Sequence, residues 1–131
     1  MLLALGEFRD AALVQRALGL LLTDAVGTQD VALLLARLLA NRAASERAWA
    51  FVKRRWPKLR RRMPPMLVTR PIEALPALGT RAYRRDVAAF FRANPVPTGA
   101  RALRQTLEQF DLNLAFDERA ERDLAGWVRT S

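Results

Sequence analysis

The side chains in this sequence that could do chemistry are mostly arginines, accompanied by scattered carboxylates. Twenty arginines and two lysines stand against 13 acidic residues, which leaves a formal net charge of +9. A guanidinium group can pair with a carboxylate or a phosphate through two parallel hydrogen bonds, so this composition favours contact with an anionic ligand. The densest positive charge lies between residues 45 and 63, in Lys53, Arg54, Lys58, Arg60, Arg61 and Arg62.

Catalytic chemistry is poorly represented, because the sequence contains no histidine and no cysteine. A Ser-His-Asp triad, a Cys-His pair and a zinc site built from His and Cys are therefore excluded. Carboxylates alone could hold Mg²⁺, but they are scattered, and most stand where helices are expected to begin. No glycine-rich phosphate loop is present. We predict that this chain alone is not an enzyme and holds no metal or cofactor.

The positive charge has several interpretations. It is compatible with binding to nucleic acid, to an acidic partner or to a membrane surface. It is also explained by a GC-rich genome, since such a genome encodes Arg and Ala in preference to Lys and Ile. The excess of arginine over lysine, together with abundant alanine, favours the genomic explanation.

Length and composition indicate one helical domain. The chain has 131 residues, 51% of them hydrophobic, which suffices for a buried core. Its longest apolar run, residues 31–36, is far short of the ~20 residues that a membrane span needs. No secretory signal pattern is visible, and the lack of cysteine leaves no disulfide framework. We therefore expect residues 1–131 to form a single cytoplasmic domain that spans no membrane.

The segment from residue 45 to 63 has the clearest helical pattern. Trp49, Val52, Trp56, Leu59 and Met63 recur at spacings of three and four residues, which places them on one face of a helix. Such a stripe predicts burial of both tryptophans. Pro57 cannot donate to the helix ladder, so the sequence predicts a kink there, or two short helices with Pro57 in the first turn of the second.

Apolar spacings and capping residues predict further helices on both sides of this segment. We expect them over residues 11–22, 31–40, 80–94, 98–116 and 118–129, with the tail of another helix over residues 1–5. The predicted N-cap residues are Asp10, Thr28 or Asp30, Ser45, Thr80, Thr98 and Asp117. The last helix should direct four of its side chains toward the core: Ala120, Leu124, Trp127 and Val128. Residues 66–79 contain Pro71 and Pro76 and should form only short helical turns. No useful stretch alternates with period two, so the fold is predicted to be all-α, with stacked antiparallel pairs.

Several phrases of the sequence, read in order, carry a family resemblance. They are ALGEFRDAALVQRALGLLL, TQDVALLLARLLANRAASERAWAFVKRRWPKL, DVAAFFRANPVP and ALRQTLEQFDLNLAFDERAERDLAGWV. The most specific pieces are Gln29-Asp30, the block from Ala48-Trp49 to Trp56, Phe90-Phe91 and Asn113. Together they resemble the C-terminal helical domain of the zinc aminopeptidases related to puromycin-sensitive and endoplasmic-reticulum aminopeptidases, over nearly the whole chain.

The resemblance implies a right-handed superhelix of HEAT-like or armadillo-like helical pairs. In that family the domain arches over a separate catalytic domain and encloses the chamber where a peptide loses its N-terminal residue. The zinc and its His-Glu-x-x-His motif belong to that other domain, and neither that motif nor Gly-x-Met-x-Asn occurs here. Residues 1–131 are therefore expected to be the C-terminal fragment of a larger, multidomain zinc aminopeptidase. The partners implied are the catalytic domain in cis and peptide substrates.

Within this interpretation, arginines are suited to contact the terminal carboxylate at the distal end of a peptide. The candidates are Arg54, Arg60, Arg61, Arg81, Arg84 and Arg85. The competing interpretation is that each belongs to a solvated outer face.

Two further hypotheses treat the chain as a basic helical-repeat module unrelated to peptidases. Such a module could bind nucleic acid, which the lack of a known nucleic-acid motif disfavours, or it could bind a protein partner. The state of association is a separate expectation. A truncated first helix would leave Leu2, Leu3 and Leu5 exposed, and the chain is expected to be a monomer or a weak dimer.

Overall fold

A computed structural model describes residues 10–130 of the chain, without the side chains of residues 129 and 130. This range contains six α-helices, two short 3₁₀ helices and no strand. The α-helices are α1 (Ala11–Leu20), α2 (Thr28–Ala40), α3 (Ser45–Arg62), α4 (Thr69–Ala74), α5 (Arg81–Ala93) and α6 (Ala100–Thr130). The 3₁₀ helices are Leu75–Leu78, before α5, and Pro97–Gly99, before α6.

The predicted all-α class is confirmed, and residues 66–79 form only short helices, as expected. The right-handed superhelical stacking stays a prediction of the resemblance. The predicted helix over residues 1–5, and with it the exposure of Leu2, Leu3 and Leu5, lies outside the described residues.

Helix α2 lies at the centre of the core and packs against α3, α4 and the first 3₁₀ helix. The spacing of its apolar residues explains this position, because most of its circumference is aliphatic. Its buried residues are Val31, Ala32, Leu34, Leu35, Leu38 and Leu39. Helices α3 and α4 cover this surface from different parts of the chain, and α6 closes the core against α4 and α5.

Helix α3 buries the predicted stripe, as all five of its residues are at most 8% exposed. The predicted interruption is also present. Arg55 has non-helical dihedral angles (φ −118°, ψ 19°), and helical geometry resumes at Trp56. Pro57 therefore stands in the first turn of the second segment, where its missing N–H leaves no hydrogen bond unmade. The buried stripe continues on both sides of the kink, so the helix keeps one inner and one outer face throughout.

Two of the predicted N-caps are confirmed. The Asp10 carboxylate accepts hydrogen bonds from the backbone N–H groups of Ala12 and Leu13, at 2.8 and 3.3 Å. The Thr80 hydroxyl accepts from the N–H of Tyr83 at 3.1 Å. In each case the side chain satisfies a donor that the first helical turn would otherwise leave unpaired.

The other predicted caps are wrong, because each helix begins at a different residue. Gly27 is the N-cap of α2, so Thr28 is already helical and Asp30 lies in the first turn. Before α3, the side chain of Asn41 accepts from the N–H of Ala43 at 2.9 Å, and a turn forms there. Ser45 is therefore the first residue of α3 rather than its N-cap, and it is only 2% exposed. Thr98 lies in the second 3₁₀ helix, and its hydroxyl donates to the Pro65 carbonyl at 3.3 Å.

The predicted break at Asp117 is absent, since α6 runs without interruption from Ala100 to Thr130. Residues 115–123 contain no glycine or proline and are rich in Ala, Glu and Arg, all of which favour a helix interior. The helix therefore continues through Asp117, although aspartate could also serve as an N-cap. The prediction that the last helix turns its apolar residues inward is also wrong. Leu124, Trp127 and Val128 are 63%, 68% and 60% exposed, and Ala120 is exposed too.

Candidate peptide-contact surface

The contact between α3 and α5 is an aromatic cluster of four rings, which fixes the inner face of α3. Trp49 and Trp56 each pack on Phe90 and Phe91, with ring centroids 5.3 to 6.0 Å apart and mostly edge-to-face. Such aromatic pairs contribute about 0.5–1.5 kcal/mol each beyond the area that they bury. Both indoles belong to the core, as the stripe predicted, and neither is available to stack on a base.

Asp86 on α5 joins this cluster to the charged side of α3. Its Oδ2 accepts from the Trp49 indole Nε1–H at 2.7 Å and from the Lys53 ammonium at 2.6 Å. The hydrogen bond from Lys53 is the main reason why the pKa of Asp86 lies below its usual value. Partial burial raises this pKa, whereas the hydrogen bond from the Trp49 indole and the positive charge of Lys53 lower it further. Lys53 is therefore engaged within the fold.

A second polar contact lies one helical turn away. The hydroxyl of Tyr83 on α5 donates to the carboxylate of Glu46 on α3 at 2.7 Å. That hydrogen bond to Glu46 raises the pKa of Tyr83, and burial and the negative charges of Glu46 and Asp86 raise it further. Glu46 is the only acidic residue in α3. Glu46 is exposed, but its carboxylate is engaged by Tyr83 and forms no ion pair with the cations of α3.

Two of the six candidate arginines hold α5 to α6. Arg84 binds Asp111 through two hydrogen bonds, from Nε at 3.0 Å and from Nη2 at 3.1 Å. Arg81 donates from Nε to Glu118 at 2.8 Å. The side chain of Arg84 is 29% exposed and forms the more enclosed of the two pairs. Both guanidinium groups already have carboxylate partners, so a peptide carboxylate would have to compete with these pairs.

The remaining candidates have no ion pair among the residues that the structure describes. Arg54, Arg61 and Arg85 are exposed and Arg60 is half-buried. The structure does not bring the six arginines together. Arg54 and Arg61 share the outer face of α3, whereas Arg60, six residues from Arg54, lies on another side of the helix. Arg85 is on α5.

The outer face of α3 carries a row of four cations, and only two of them, Arg54 and Arg61, are among the six candidate arginines. Arg47, Arg54, Lys58 and Arg61 are all exposed and are spaced by seven, four and three residues. We call these four residues the α3 basic row. Arg47 and Lys58 were missed as site residues, although the helical spacing that identified the buried stripe also predicts a continuous outer face.

A groove between α2 and α4 is a concave feature that the sequence did not predict. It has a volume of about 440 Å³. Its floor and walls are Leu33, Ala36, Arg37, Ala40, Arg70, Glu73 and Ala74. Small alanines allow a ligand to approach the helices closely. The signal in the sequence was the pair Ala36 and Ala40, one helical turn apart on the outer side of α2, but which helix would pack beside it depends on the tertiary fold.

Nothing in residues 10–130 is arranged to hold a metal ion, since no three acidic, His or Cys side chains converge there. None of the helices in this range is both long and apolar enough to cross a bilayer. Arginine side chains are the most numerous charged groups on the described surface.

Comparison with known proteins gives one family. A family model described as the ERAP1-like C-terminal domain matches residues 1–112. Aminopeptidase 2, mitochondrial, from Saccharomyces cerevisiae is 28% identical over 110 residues. That alignment covers 80% of this chain but only 11% of the yeast protein.

Proposed function

Because this chain belongs to the ERAP1-like C-terminal domain family, we propose that it serves as the non-catalytic C-terminal domain of a zinc aminopeptidase. In this role it encloses the active-site chamber and contacts the part of a peptide substrate that lies far from the scissile bond. The observation that carries the proposal is the family match over residues 1–112, which extends into the first half of α6. The absence of His and Cys from the sequence fits a domain whose chemistry is supplied elsewhere.

The proposed mechanism is geometric. A rigid helical body limits access to a chamber, and exposed cations bind the negatively charged end of a peptide. Arg54, Arg60, Arg61 and Arg85 are the proposed contacts, since Arg81 and Arg84 already pair with Glu118 and Asp111. Zinc would be held by the catalytic domain of the enzyme, which is the partner of this chain in cis. A cytoplasmic location remains part of the proposal, although the yeast relative is named as mitochondrial.

The proposal is tested with the 131-residue chain and a fluorescent peptide of about ten residues. Fluorescence anisotropy should show binding of the peptide with a free terminal carboxylate and weaker binding of the same peptide ending in an amide. Mass spectrometry of the mixture should show an intact N-terminus, with or without added zinc. Removal of the N-terminal residue by the chain itself, or equal binding of the two peptides, would contradict the assignment.

A further inference from the structure

The α3 basic row has no ion-pair partner among the residues that the structure describes. Ion pairs among residues 10–130 join other cations to carboxylates, as in Lys53 to Asp86, Arg62 to Asp24, Arg81 to Glu118 and Arg84 to Asp111. None of these pairs involves Arg47, Arg54, Lys58 or Arg61. Four exposed like charges on one helix face repel one another, so an anionic ligand would relieve this repulsion as well as form new contacts.

The row is nearly straight. At 100° and 1.5 Å per residue, the four side chains fall within about 60° of one another and span about 21 Å of helix axis. The kink at Arg55 does not divide the row, because the buried stripe on the opposite face continues from Trp49 to Met63 on both sides of it. The cations consequently form one continuous line rather than two separate clusters.

This geometry matches an extended peptide. An extended chain rises about 3.3 Å per residue, so side chains on its same side recur every ~6.6 Å. Arg54 and Lys58 are separated by about 6 Å along the helix, and the whole row corresponds to a peptide of about six or seven residues. Acidic side chains at alternate positions could therefore meet several of these cations at once.

Nucleic acids and anionic membranes fit the surface less well. Proteins that bind single-stranded nucleic acid combine positive charge with exposed aromatic rings, whereas both tryptophans of α3 are buried. A membrane-surface helix presents large apolar side chains beside its cations, and no such side chain of α3 is exposed. A nucleic-acid duplex could bind to the row through charge alone, and the experiment below distinguishes it from a peptide.

We propose that the α3 basic row binds acidic segments of peptides, so that the domain favours substrates with carboxylate side chains away from their N-terminus. This inference rests on the proposed peptide-contact function and specifies its substrate class. An exposed ion pair strengthens an interaction by about 1.4- to 5-fold. Four such contacts therefore predict a preference of about fourfold or more for an acidic peptide over its neutral counterpart at low salt.

The test measures fluorescence anisotropy of the 131-residue chain with two labelled eight-residue peptides, one with Glu at alternate positions and one with Gln in their place. The R54E/K58E variant should abolish the preference for the acidic peptide. The R101E/R104E variant changes the net charge by the same amount at exposed positions on α6, outside the row, and should retain the preference within about twofold. In 1 M salt, where the screening length is about 3 Å, the preference of the unaltered chain should disappear.

Several results would overturn the inference. An equal loss of the preference for the acidic peptide in R54E/K58E and in R101E/R104E would show that the net charge, and not the row, attracts the peptide. Equal affinity for the Glu and Gln peptides would refute the inference but leave the peptide-contact function standing, whereas binding of neither peptide would count against both. Binding of a short DNA duplex at least about tenfold more tightly than the acidic peptide, lost in R54E/K58E alone, would reassign the row to nucleic acid.

Discussion

Replacement of Trp49 by alanine should destabilise the domain severely, because this indole links the stripe of α3 to α5. Trp49 is 1% exposed, contacts Phe90 and Phe91, and donates a hydrogen bond to Asp86. Removing a buried tryptophan side chain costs about 3–5 kcal/mol, through lost burial and the cavity that remains. Asp86 keeps its hydrogen bond from Lys53, so the lost indole donor adds little. We expect W49A to lose about 4 kcal/mol.

Urea unfolding followed by far-UV circular dichroism measures this loss without relying on tryptophan fluorescence. With a slope of about 2 kcal/mol per molar urea, the midpoint should fall by about 2 M. Domains of this kind are stable by about 5–15 kcal/mol, so W49A should still fold at low temperature or be marginal. The matched control is W127A, since Trp127 is 68% exposed and its removal should cost about 0.5 kcal/mol. Similar losses in the two variants would refute the packing described for α3 and α5.

Three further predictions concern the polar contacts and α6. The folded state lowers the pKa of Asp86, so its carboxylate stabilises the fold above the pKa of the unfolded state, about 3.9. The difference in unfolding free energy between the unaltered chain and D86N should therefore be largest near neutral pH and should shrink as the pH falls below about 4; a difference that does not vary with pH would contradict the ion pair. A double-mutant cycle on Arg84 and Asp111 should give a coupling of about 0.5–1 kcal/mol in urea unfolding, because the pair is bidentate but partly solvated, and a coupling near zero would show that it is not formed in solution. Hydrogen exchange should be much faster in residues 118–128 than in the first half of α6, which is held to the core by the buried residues Thr106, Phe110 and Leu114, and equal protection along α6 would show that its exposed end is covered.

The sequence predicted those elements whose local signals and tertiary packing agree. The stripe of α3 was identified because three- and four-residue spacings and burial coincide at Trp49, Trp56 and Leu59. The caps at Asp10 and Thr80 were identified because each side chain can accept from the backbone N–H groups of the helical turn that follows it. The interruption near Pro57 follows from the covalent structure of proline, although the distortion itself falls on Arg55.

The errors have a common physical origin, which is that several residues can perform the same local task. Asn41 begins a turn before Ser45 can act as a cap, and Gly27 takes the place predicted for Thr28. Asp117 is equally compatible with a helix start and a helix interior, and only the full chain decides between them. The partners of Arg81 and Arg84 were not predictable, because they lie 37 and 27 residues away on a helix whose position depends on the core.

We propose above that this domain contacts long peptides at a distance from the catalytic centre of its enzyme. The most direct measurement is the steady-state cleavage of a ten-residue peptide and of a dipeptide by the full-length aminopeptidase that carries the domain, with and without the R54E/R61E substitutions. The account predicts that kcat/KM for the long peptide falls several-fold, through KM, while that for the dipeptide is unchanged. Equal effects on the two substrates, or none on either, would contradict it.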